Sequence, residues 1–409
     1  MTAYGVARTP HLILFGAGQR KALPAIVRSY GTRAFICSDN RFRRDPALIG
    51  LADEMAAHGI VVDVYDATIA ELPLSCILEA ADKARSFQPD VIIGLGGGSC
   101  LDIAKLVAVL LAHPGPLSEY YGEFRVPGPV KPLIAIPTTA GTGSEVTPVA
   151  VLDDPARATK VGISSPYLIP AVAICDPELT LTCPRSLTAI AGADALTHAI
   201  EAFTVVRKEA TAALALAQVF VGKNAFSDMH ARVAISALAG NLARAVLDGG
   251  DMHAREQVMF GALNAGLAFG VAGTAAAHAI QYPIGAVTHT AHGLGVAALM
   301  PFVMEFNRKS CVPEFAEIAR LFGAAQEGDS DEQLSKKAID AVDSLFQKIG
   351  MPRSLAQLGL SADQQAGVAT QAMQAARLVN NNPKQLDAES MLRIVEAAHA
   401  GDRTLLATT

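Results

Sequence analysis

Short apolar runs alternate with helix-forming stretches through about the first 180 residues of this 409-residue chain. Each run has the length of a buried strand, as in HLILFG, RAFICSD, GIVVDVYD and DVIIGLGGG. This βαβ rhythm favours a largely parallel sheet covered by helices, because parallel neighbours need a long crossover connection. The first part of the chain is therefore predicted to form an α/β domain.

Long helical stretches rich in Ala and Leu replace this rhythm from Ser186 onward. The only segment there that resembles a strand or a break runs from Pro283 to Gly295 and is punctuated by glycine and proline. The boundary is predicted near Pro184, where the turn DPELTLTCP precedes the first long helix. We therefore expect two domains, an α/β domain over residues 1–183 and an all-α domain over residues 184–409.

Charge and composition exclude several classes of partner. The net charge is -6 and no run of Lys and Arg occurs, so nucleic acid and anionic lipid are not expected partners. The apolar run at residues 262–287 consists mostly of Ala and Gly and is interrupted by polar residues, which favours a buried helix over a membrane span. Six scattered cysteines without a CxxC pair, and an N-terminus without a long apolar run, indicate a cytoplasmic protein.

Two loops that follow predicted strands have the chemistry of phosphate sites. The first loop comprises Gly96, Gly97, Gly98 and Ser99. It opens a helix, so backbone N–H groups and the helix dipole would favour a pyrophosphate there. Asp102, on the same helix, is predicted as a further cofactor contact. The second loop, PTTAGTGSE at residues 137–145, offers several small hydroxyls. Both loops would lie at the carboxyl edge of the sheet, which predicts a nucleotide site, although each alone is also consistent with an ordinary turn.

Asp39 ends the predicted strand RAFICSD. A carboxylate at this position can accept hydrogen bonds from a ribose 2′-hydroxyl and would repel a 2′-phosphate. This residue therefore predicts NAD rather than NADP as the cofactor. The alternative is a solvated aspartate in a turn.

The sequence GADALTHAIEAF predicts one helix face with two metal ligands. Asp194 and His198 are four residues apart and so share that face. His278 and His292 follow in a segment of small apolar residues, where an imidazole without a partner would be costly. Taken singly, each histidine could be an ordinary core or surface residue. Together they suit a divalent iron or zinc ion with an open position for substrate.

Five motifs in this order resemble the iron-containing (group III) alcohol dehydrogenase family. They are GGGSCLDIAK, PTTAGTGSEVT, DPELT, GADALTHAIEAF and HAIQYPIGAVTHTAHG. The resemblance covers nearly the whole chain. It implies a dehydroquinate synthase-like fold, with a Rossmann-like NAD-binding domain, a helical metal-binding catalytic domain and a catalytic cleft between them. It also implies a homo-dimer or a larger homo-oligomer.

The same resemblance implies roles for individual residues. Asp194, His198, His278 and His292 match the metal ligands, with Fe2+ favoured over Zn2+. Gly97, Gly98 and Ser99 match the pyrophosphate loop, and Asp39 matches the position tied to NAD preference. Further cofactor contacts are implied for Thr138, Thr139, Thr142, Thr147 and Lys160.

One position departs from the family pattern HxxxHPxG. Four residues after His278 the chain has Tyr282, where typical members have a second histidine that helps to move protons. A phenol with an ordinary pKa of about 10 is a poorer base near neutral pH, and His289 is the alternative candidate for this role. We expect hydride transfer between NAD and a primary or secondary alcohol or the matching aldehyde or ketone. The alternatives are an oxo-acid reductase or hydroxyacid-oxoacid transhydrogenase, and a non-catalytic NAD-binding protein.

Overall fold

The computed structural model describes residues 4–157 and 160–407, which pack into two compact units. We call them the sheet unit (residues 8–157, 160–183 and 215–219) and the helical unit (residues 4–7, 184–214 and 220–407). The short segment 215–219 packs with the sheet unit because the Arg8 guanidinium donates hydrogen bonds to its backbone carbonyls.

The sheet unit alternates strands and helices. Its strands are β1 (Leu12–Phe15), β2 (Arg33–Cys37), β3 (Val61–Tyr65), β4 (Val91–Gly96), β5 (Gly122–Glu123), β6 (Leu133–Pro137), β7 (Val149–Leu152), β8 (Val161–Ser164) and β9 (Val172–Cys175). Its helices are α1 (Leu23–Tyr30), α2 (Pro46–Ala57), α3 (Leu74–Phe87) and α4 (Gly98–Ala112). Within the described residues, six strands form one parallel sheet in the order β1-β9-β6-β4-β2-β3.

The parallel sheet is buried on both faces, as its continuous apolar strands predict. In β2, Phe35 and Cys37 enter one apolar core, whereas Ile36 enters the core on the opposite face. The predicted parallel sheet is therefore confirmed. A second, small sheet in the order β5-β8-β7 was not predicted. In this second sheet β7 and β8 run antiparallel, because the connection between them is too short for a parallel crossover.

After Pro184 the described residues contain helices and no β-strand, which confirms the predicted all-α part. These helices are α5 (Arg185–Thr204), α6 (Leu214–Ala217), α7 (Ala225–Leu247), α8 (Met252–Ala272), α9 (Ala276–Thr288), α10 (His292–Asn307), α11 (Val312–Leu321), α12 (Asp331–Lys348), α13 (Gln365–Ala372), α14 (Ala376–Val379) and α15 (Ala388–Ala400). Helices α5, α7 and α8 pack on one another, and α10 packs on both α5 and α9.

The interpretation of residues 283–295 as a strand or break is wrong at its proline. Helix α9 continues through Pro283, although proline removes one backbone hydrogen bond from the ladder. Burial of the side chains on either side, Ile280 and Ile284, holds the helix together. The chain turns only at His289, whose φ of 54° lies in the left-handed region and ends the helix.

The cysteines and the apolar helices α8 and α9 lie mostly inside the protein. All six cysteines are buried, and none forms a disulfide within the part of the chain that the structure describes. No single helix in the described ranges is both long enough and apolar enough to cross a membrane, although α8 and α9, bent by 101°, together meet that criterion. Most side chains of these two helices are buried in the helical unit.

Candidate functional site

Helix α5 carries three polar side chains on one face. Asp194, His198 and Glu201 occupy positions i, i+4 and i+7, and all three are buried. Their neighbours on the helix, from Gly192 to Thr204, are buried as well. Charged groups in such an interior are costly unless they are paired or bind a metal. The helix therefore presents a face with the chemistry of an ion site.

Three imidazole nitrogens converge on one carboxylate oxygen of α5. The Nε2 atoms of His198, His278 and His292 lie 3.8, 3.7 and 3.8 Å from Oδ1 of Asp194. Ligand atoms of Asp194, His278 and His292 all lie within 4.8 Å of one another. These separations exceed those of hydrogen bonds, but they suit atoms that each bind one shared cation at roughly 2.0–2.3 Å.

Two atoms at this centre show that the residues fit a metal ion. Oδ1 of Asp194 and Nε2 of His278 are fully buried, and within the described ranges neither makes a hydrogen bond. Buried polar atoms are rarely left in this state. Burial raises the pKa of the Asp194 carboxyl, although His292 and His278 oppose that rise. A divalent cation would satisfy both atoms and favour the carboxylate.

Glu201 was not among the predicted site residues, yet it orients one of the ligands. Its Oε2 lies 2.6 Å from Nδ1 of His278, and its two oxygens accept hydrogen bonds of 2.8 Å from the N–H groups of Ala275 and Ala277. A proton on Nδ1 leaves Nε2 with a lone pair directed towards Asp194. Burial lowers the pKa of His278, but the Glu201 carboxylate outweighs it and raises that pKa overall. The i+7 spacing from Asp194 was the available signal.

Aromatic rings pack around the imidazoles. Phe269 stacks on His198 with ring centroids 4.2 Å apart, and His198 stacks on His278 at 4.6 Å. The Tyr282 ring lies 6.1 Å from that of His292, centroid to centroid. His289 is exposed at the end of α9. Of the two residues predicted for proton transfer, Tyr282 is therefore the one seen beside a predicted metal ligand.

In the sheet unit, Asp39 and the glycine turn lie where the order of the strands reverses. From β2 the chain continues to its neighbour β3, whereas from β4 it continues to β6 on the opposite side. Open α/β sheets bind ligands at such a point, beyond the carboxyl ends of the strands. Asp39 follows β2 here, and the glycine turn Gly96–Gly98 joins the end of β4 to the start of α4. The topology therefore brings both predicted features to one edge of the sheet.

The glycine turn and the threonine loop touch each other. Gly96 has a φ of 149°, a conformation that favours glycine, and a Cβ atom on Gly98 would lie 2.6 Å from Cγ2 of Thr142. Helix α4 begins at Gly98 without a side-chain cap, so its first backbone N–H groups are available to an anion. Gly97 lies beside Thr139 in the same way, since a Cβ atom on Gly97 would be 3.6 Å from Cγ2 of Thr139. These residues form a cradle of the kind that a pyrophosphate requires.

Asp39 is not a solitary carboxylate. The Arg41 guanidinium donates to both of its oxygens, with Nε 2.8 Å from Oδ1 and Nη2 2.7 Å from Oδ2. Nη2 also lies 3.3 Å from Oγ1 of Thr138. Burial raises the pKa of Asp39, but the hydrogen bonds from Arg41 outweigh burial and lower the pKa below its usual value. Arg41 was not predicted as part of the site.

Three of the predicted cofactor residues have partners inside the sheet unit. Asp102 accepts hydrogen bonds from Oγ of Ser144, at 2.6 Å, and from the N–H of Val151, at 2.9 Å. Nζ of the buried Lys105 lies 2.9 Å from the carbonyl oxygen and 3.3 Å from Oγ1 of Thr147. These contacts join α4 to β7 and to the loop that precedes it.

Lys160 is the third of these residues. Its ammonium group forms an ion pair with Glu71. Burial lowers the pKa of Lys160 to about 8. The structure therefore gives Lys160 a carboxylate partner within the sheet unit.

Comparison with known proteins shows similarity over most of the chain. The chain is 37% identical over 366 residues to a long-chain-alcohol dehydrogenase 1 from Geobacillus thermodenitrificans, which covers 87% of this chain and 88% of that protein. It is 30% identical to an NAD-dependent methanol dehydrogenase from Bacillus methanolicus, over 95% of this chain and 98% of that protein. A crystal structure of a 1,3-propanediol oxidoreductase superposes with a TM-score of 0.90 at 30% identity, over 97% of this chain and all of that one.

Family models match both parts of the chain. Residues 10–177 match the model of the iron-containing alcohol dehydrogenase, and residues 188–399 match the C-terminal model of the Fe-containing alcohol dehydrogenase family. These matches and the relatives together confirm the resemblance on which the predicted oxidoreductase activity was based. The chain belongs to the iron-containing alcohol dehydrogenase family.

Proposed function

We propose that this chain transfers hydride reversibly between an alcohol and NAD, with a divalent metal ion held by Asp194, His198, His278 and His292. The observation that carries the proposal is the convergence of three imidazole nitrogens on Oδ1 of Asp194, in a buried centre where two ligand atoms make no hydrogen bond among the described residues. Family membership supports Fe2+ as the ion, with Zn2+ as the alternative.

The residues of the helical unit have distinct parts in this proposal. A divalent cation held there supplies Lewis acidity, which lowers the pKa of an alcohol hydroxyl and polarises a carbonyl oxygen. Glu201 keeps the proton of His278 on Nδ1, so that Nε2 stays available as a ligand. Phe269 covers one face of His198 and keeps water from it. Tyr282, beside His292, is proposed to hold and pass on the proton of the substrate hydroxyl.

The sheet unit is proposed to bind the dinucleotide. The uncapped start of α4, with Gly97, Gly98 and Ser99, would hold the pyrophosphate, and Asp39 would accept hydrogen bonds from the adenosine ribose. The threonine loop would supply further polar contacts. Two relatives support this assignment, because one is named as NAD-dependent and a sulfoacetaldehyde reductase of the same fold has been solved in complex with NAD+. On this basis residues 1–183 are proposed as the NAD-binding domain and residues 184–409 as the catalytic domain.

The substrate is proposed to be a primary or secondary alcohol, or the matching aldehyde or ketone. Relatives are named for a long-chain alcohol, for methanol and for 1,3-propanediol, so alcohols of different size belong in the first assay. We further propose that the enzyme works in the cytoplasm, where six buried thiols stay reduced, and that it forms a homo-dimer or a larger homo-oligomer. Light scattering after gel filtration measures the oligomeric state.

The test compares metal content and turnover in matched variants. Protein loaded with Fe2+ or Zn2+ is assayed for NADH formation from a panel of alcohols and hydroxy acids, and its metal is measured by elemental analysis. His278→Ala is expected to lose both the ion and the activity, whereas His253→Ala, at an exposed position on α8, keeps both. A metal-free His278→Ala protein with full activity would refute the proposal. Turnover that requires an added oxo acid would indicate a transhydrogenase instead.

A further inference from the structure

The Asp39 carboxylate, which was expected to select NAD, is paired with the positive charge of Arg41. Arg41 places a planar fork on both oxygens of Asp39, and its backbone N–H donates a further hydrogen bond, of 3.0 Å, to Oδ1. Paired guanidinium and carboxylate groups carry no net charge. Repulsion of a 2′-phosphate by Asp39, the reason for expecting NAD alone, is therefore largely cancelled.

The guanidinium lies across the strand ends at the proposed nucleotide site. Asp39 follows β2, and Nη2 of Arg41 reaches 3.3 Å from Oγ1 of Thr138, which follows β6. Strand β4 lies between β2 and β6 in the sheet and leads directly into the glycine turn. Arg41 therefore stands at the reversal of strand order, at the same edge as the pyrophosphate cradle.

The other two carboxylates near this turn, Asp66 and Asp45, have partners other than Arg41. Arg43 forms an ion pair with Asp66, and Asp45 caps α2 by accepting a hydrogen bond from the N–H of Ala47. Arg44 is exposed, and in the described ranges it makes no ion pair. The charged groups of this turn are thus balanced rather than acidic.

We propose that this chain accepts NADP as well as NAD, and that Arg41 is the residue that makes this possible. The inference rests on the proposed function of the sheet unit. With NAD, Arg41 stays on Asp39, which receives the ribose 2′-hydroxyl. With NADP, the guanidinium stays beside Asp39 and directs its other N–H groups to the 2′-phosphate, a dianionic group that suits an arginine. A ligand can reach these groups because the pair is partly exposed, at 36% for the Arg41 side chain and 24% for that of Asp39.

Two small probes isolate the phosphate in question. Adenosine 5′-monophosphate and adenosine 2′,5′-bisphosphate differ only at the 2′ position, and their Kd values are measured by calorimetry on the metal-loaded protein. Neither probe carries a nicotinamide ring, so catalysis plays no part. In the unaltered chain the two Kd values are expected to agree within about tenfold. Arg41→Ala is expected to weaken the bisphosphate relative to the monophosphate by at least about tenfold, since it removes the fork and exposes the Asp39 charge.

Arg43→Ala is the matched control. It makes the same change of charge two residues along the same turn, on an arginine that pairs with Asp66, and the ratio of the two Kd values is expected to stay within about twofold. Arg41→Lys keeps the charge but not the fork, so an intermediate ratio supports the proposal. Steady-state kcat/KM with NAD and NADP is expected to follow the same order.

The outcomes separate this inference from the function on which it rests. If neither probe binds and neither dinucleotide supports turnover, the proposed function fails and the inference falls with it. If the monophosphate binds and NAD is used, but the bisphosphate binds more than about 100-fold more weakly to the unaltered chain, only the inference is overturned. An unchanged ratio in Arg41→Ala overturns it as well.

Discussion

Nδ1 of His278 and Oε2 of Glu201 lie 2.6 Å apart, inside the helical unit and out of contact with solvent. The same carboxylate accepts two backbone N–H groups at the start of α9. Glu201 therefore fixes both the ring of His278 and the helix end that carries it. A carboxylate in this position behind a metal-binding histidine orients the ring and makes it a better ligand.

Replacing Glu201 is expected to weaken metal binding without removing a ligand. In Glu201→Gln the charge is lost and the hydrogen bond to His278 is weaker, so metal affinity is expected to fall about 10–100-fold. Competition with a chromogenic chelator measures that affinity, and circular dichroism verifies the fold. Glu317→Gln, which breaks a partly exposed ion pair with Arg232 on another part of the unit, is expected to leave the affinity unchanged. Equal affinity in the two variants would contradict the role of Glu201.

A methyl group on Gly98 is expected to separate the two loops of the sheet unit. Its Cβ would stand 2.6 Å from Cγ2 of Thr142, and overpacking of this kind costs about 1–3 kcal/mol. Gly98→Ala is therefore expected to weaken NAD binding about tenfold or more, as measured by fluorescence titration with NADH. In Gly98→Ala/Thr142→Ser the obstructing methyl is absent, and part of the affinity should return. No loss in the single variant would show that the contact is not needed for binding.

Glu145 is expected to make the stability of the chain depend on pH. Burial raises the pKa of Glu145 to about 7, from an ordinary value of 4.5. Between these values the folded chain holds a proton that the unfolded chain releases, so stability falls as pH rises from about 4.5 to 7. Glu145→Gln is expected to raise the free energy of unfolding by about 1–3 kcal/mol at pH 8 and to change it little at pH 4.

Urea denaturation at the two pH values measures this difference. Glu396→Gln, at an exposed position on α15, serves as the control, and its effect is expected to be small and equal at both pH values. A gain for Glu145→Gln at pH 4 as large as that at pH 8 would mean that the buried charge is not the cause.

Tyr282 is expected to matter for turnover and not for nucleotide binding. Tyr282→Phe keeps the ring beside His292 and removes only the hydroxyl, so kcat is expected to fall about 100-fold if the phenol passes on a proton. The Kd for NADH should stay the same. Tyr167→Phe, at an exposed ring in the sheet unit, provides the comparison. An unaltered pH profile and kcat in Tyr282→Phe would exclude the phenol from proton transfer.

Spacing along the sequence was sufficient to group four residues that the structure brings together. Asp194 and His198 lie on one helix by their i,i+4 spacing, and the setting of His278 and His292 suggested that they were buried partners. Their assignment as metal ligands stays a prediction until metal is measured. Glu201 was not predicted because a glutamate on a helix is usually exposed. Only the packing of α9 against it shows that it is buried.

Side-chain contacts that no motif specifies explain what the sequence could not predict in the sheet unit. Asp102 was expected to contact a cofactor, but Ser144 in the loop before β7 and Val151 in β7 donate hydrogen bonds to its two oxygens. Arg41 is separated from Asp39 by one residue, yet nothing in the sequence showed that its side chain would turn back onto that carboxylate. A propensity or a motif describes a residue in its own segment, whereas the partners of Asp102 are set by tertiary packing. The pair of Asp39 and Arg41 is local and depends on the side-chain conformation of Arg41.

The four residues proposed as metal ligands come from three helices, α5, α9 and α10, and the connection between the last two turns at a single left-handed residue, His289. A bound ion would thus act as a cross-link between segments that are far apart in the chain. Binding energy would be added directly to the stability of the folded state. Removal of the ion should therefore loosen the start of α10 first, because His292 is the first residue of that helix, and leave the long buried α5 protected from hydrogen exchange.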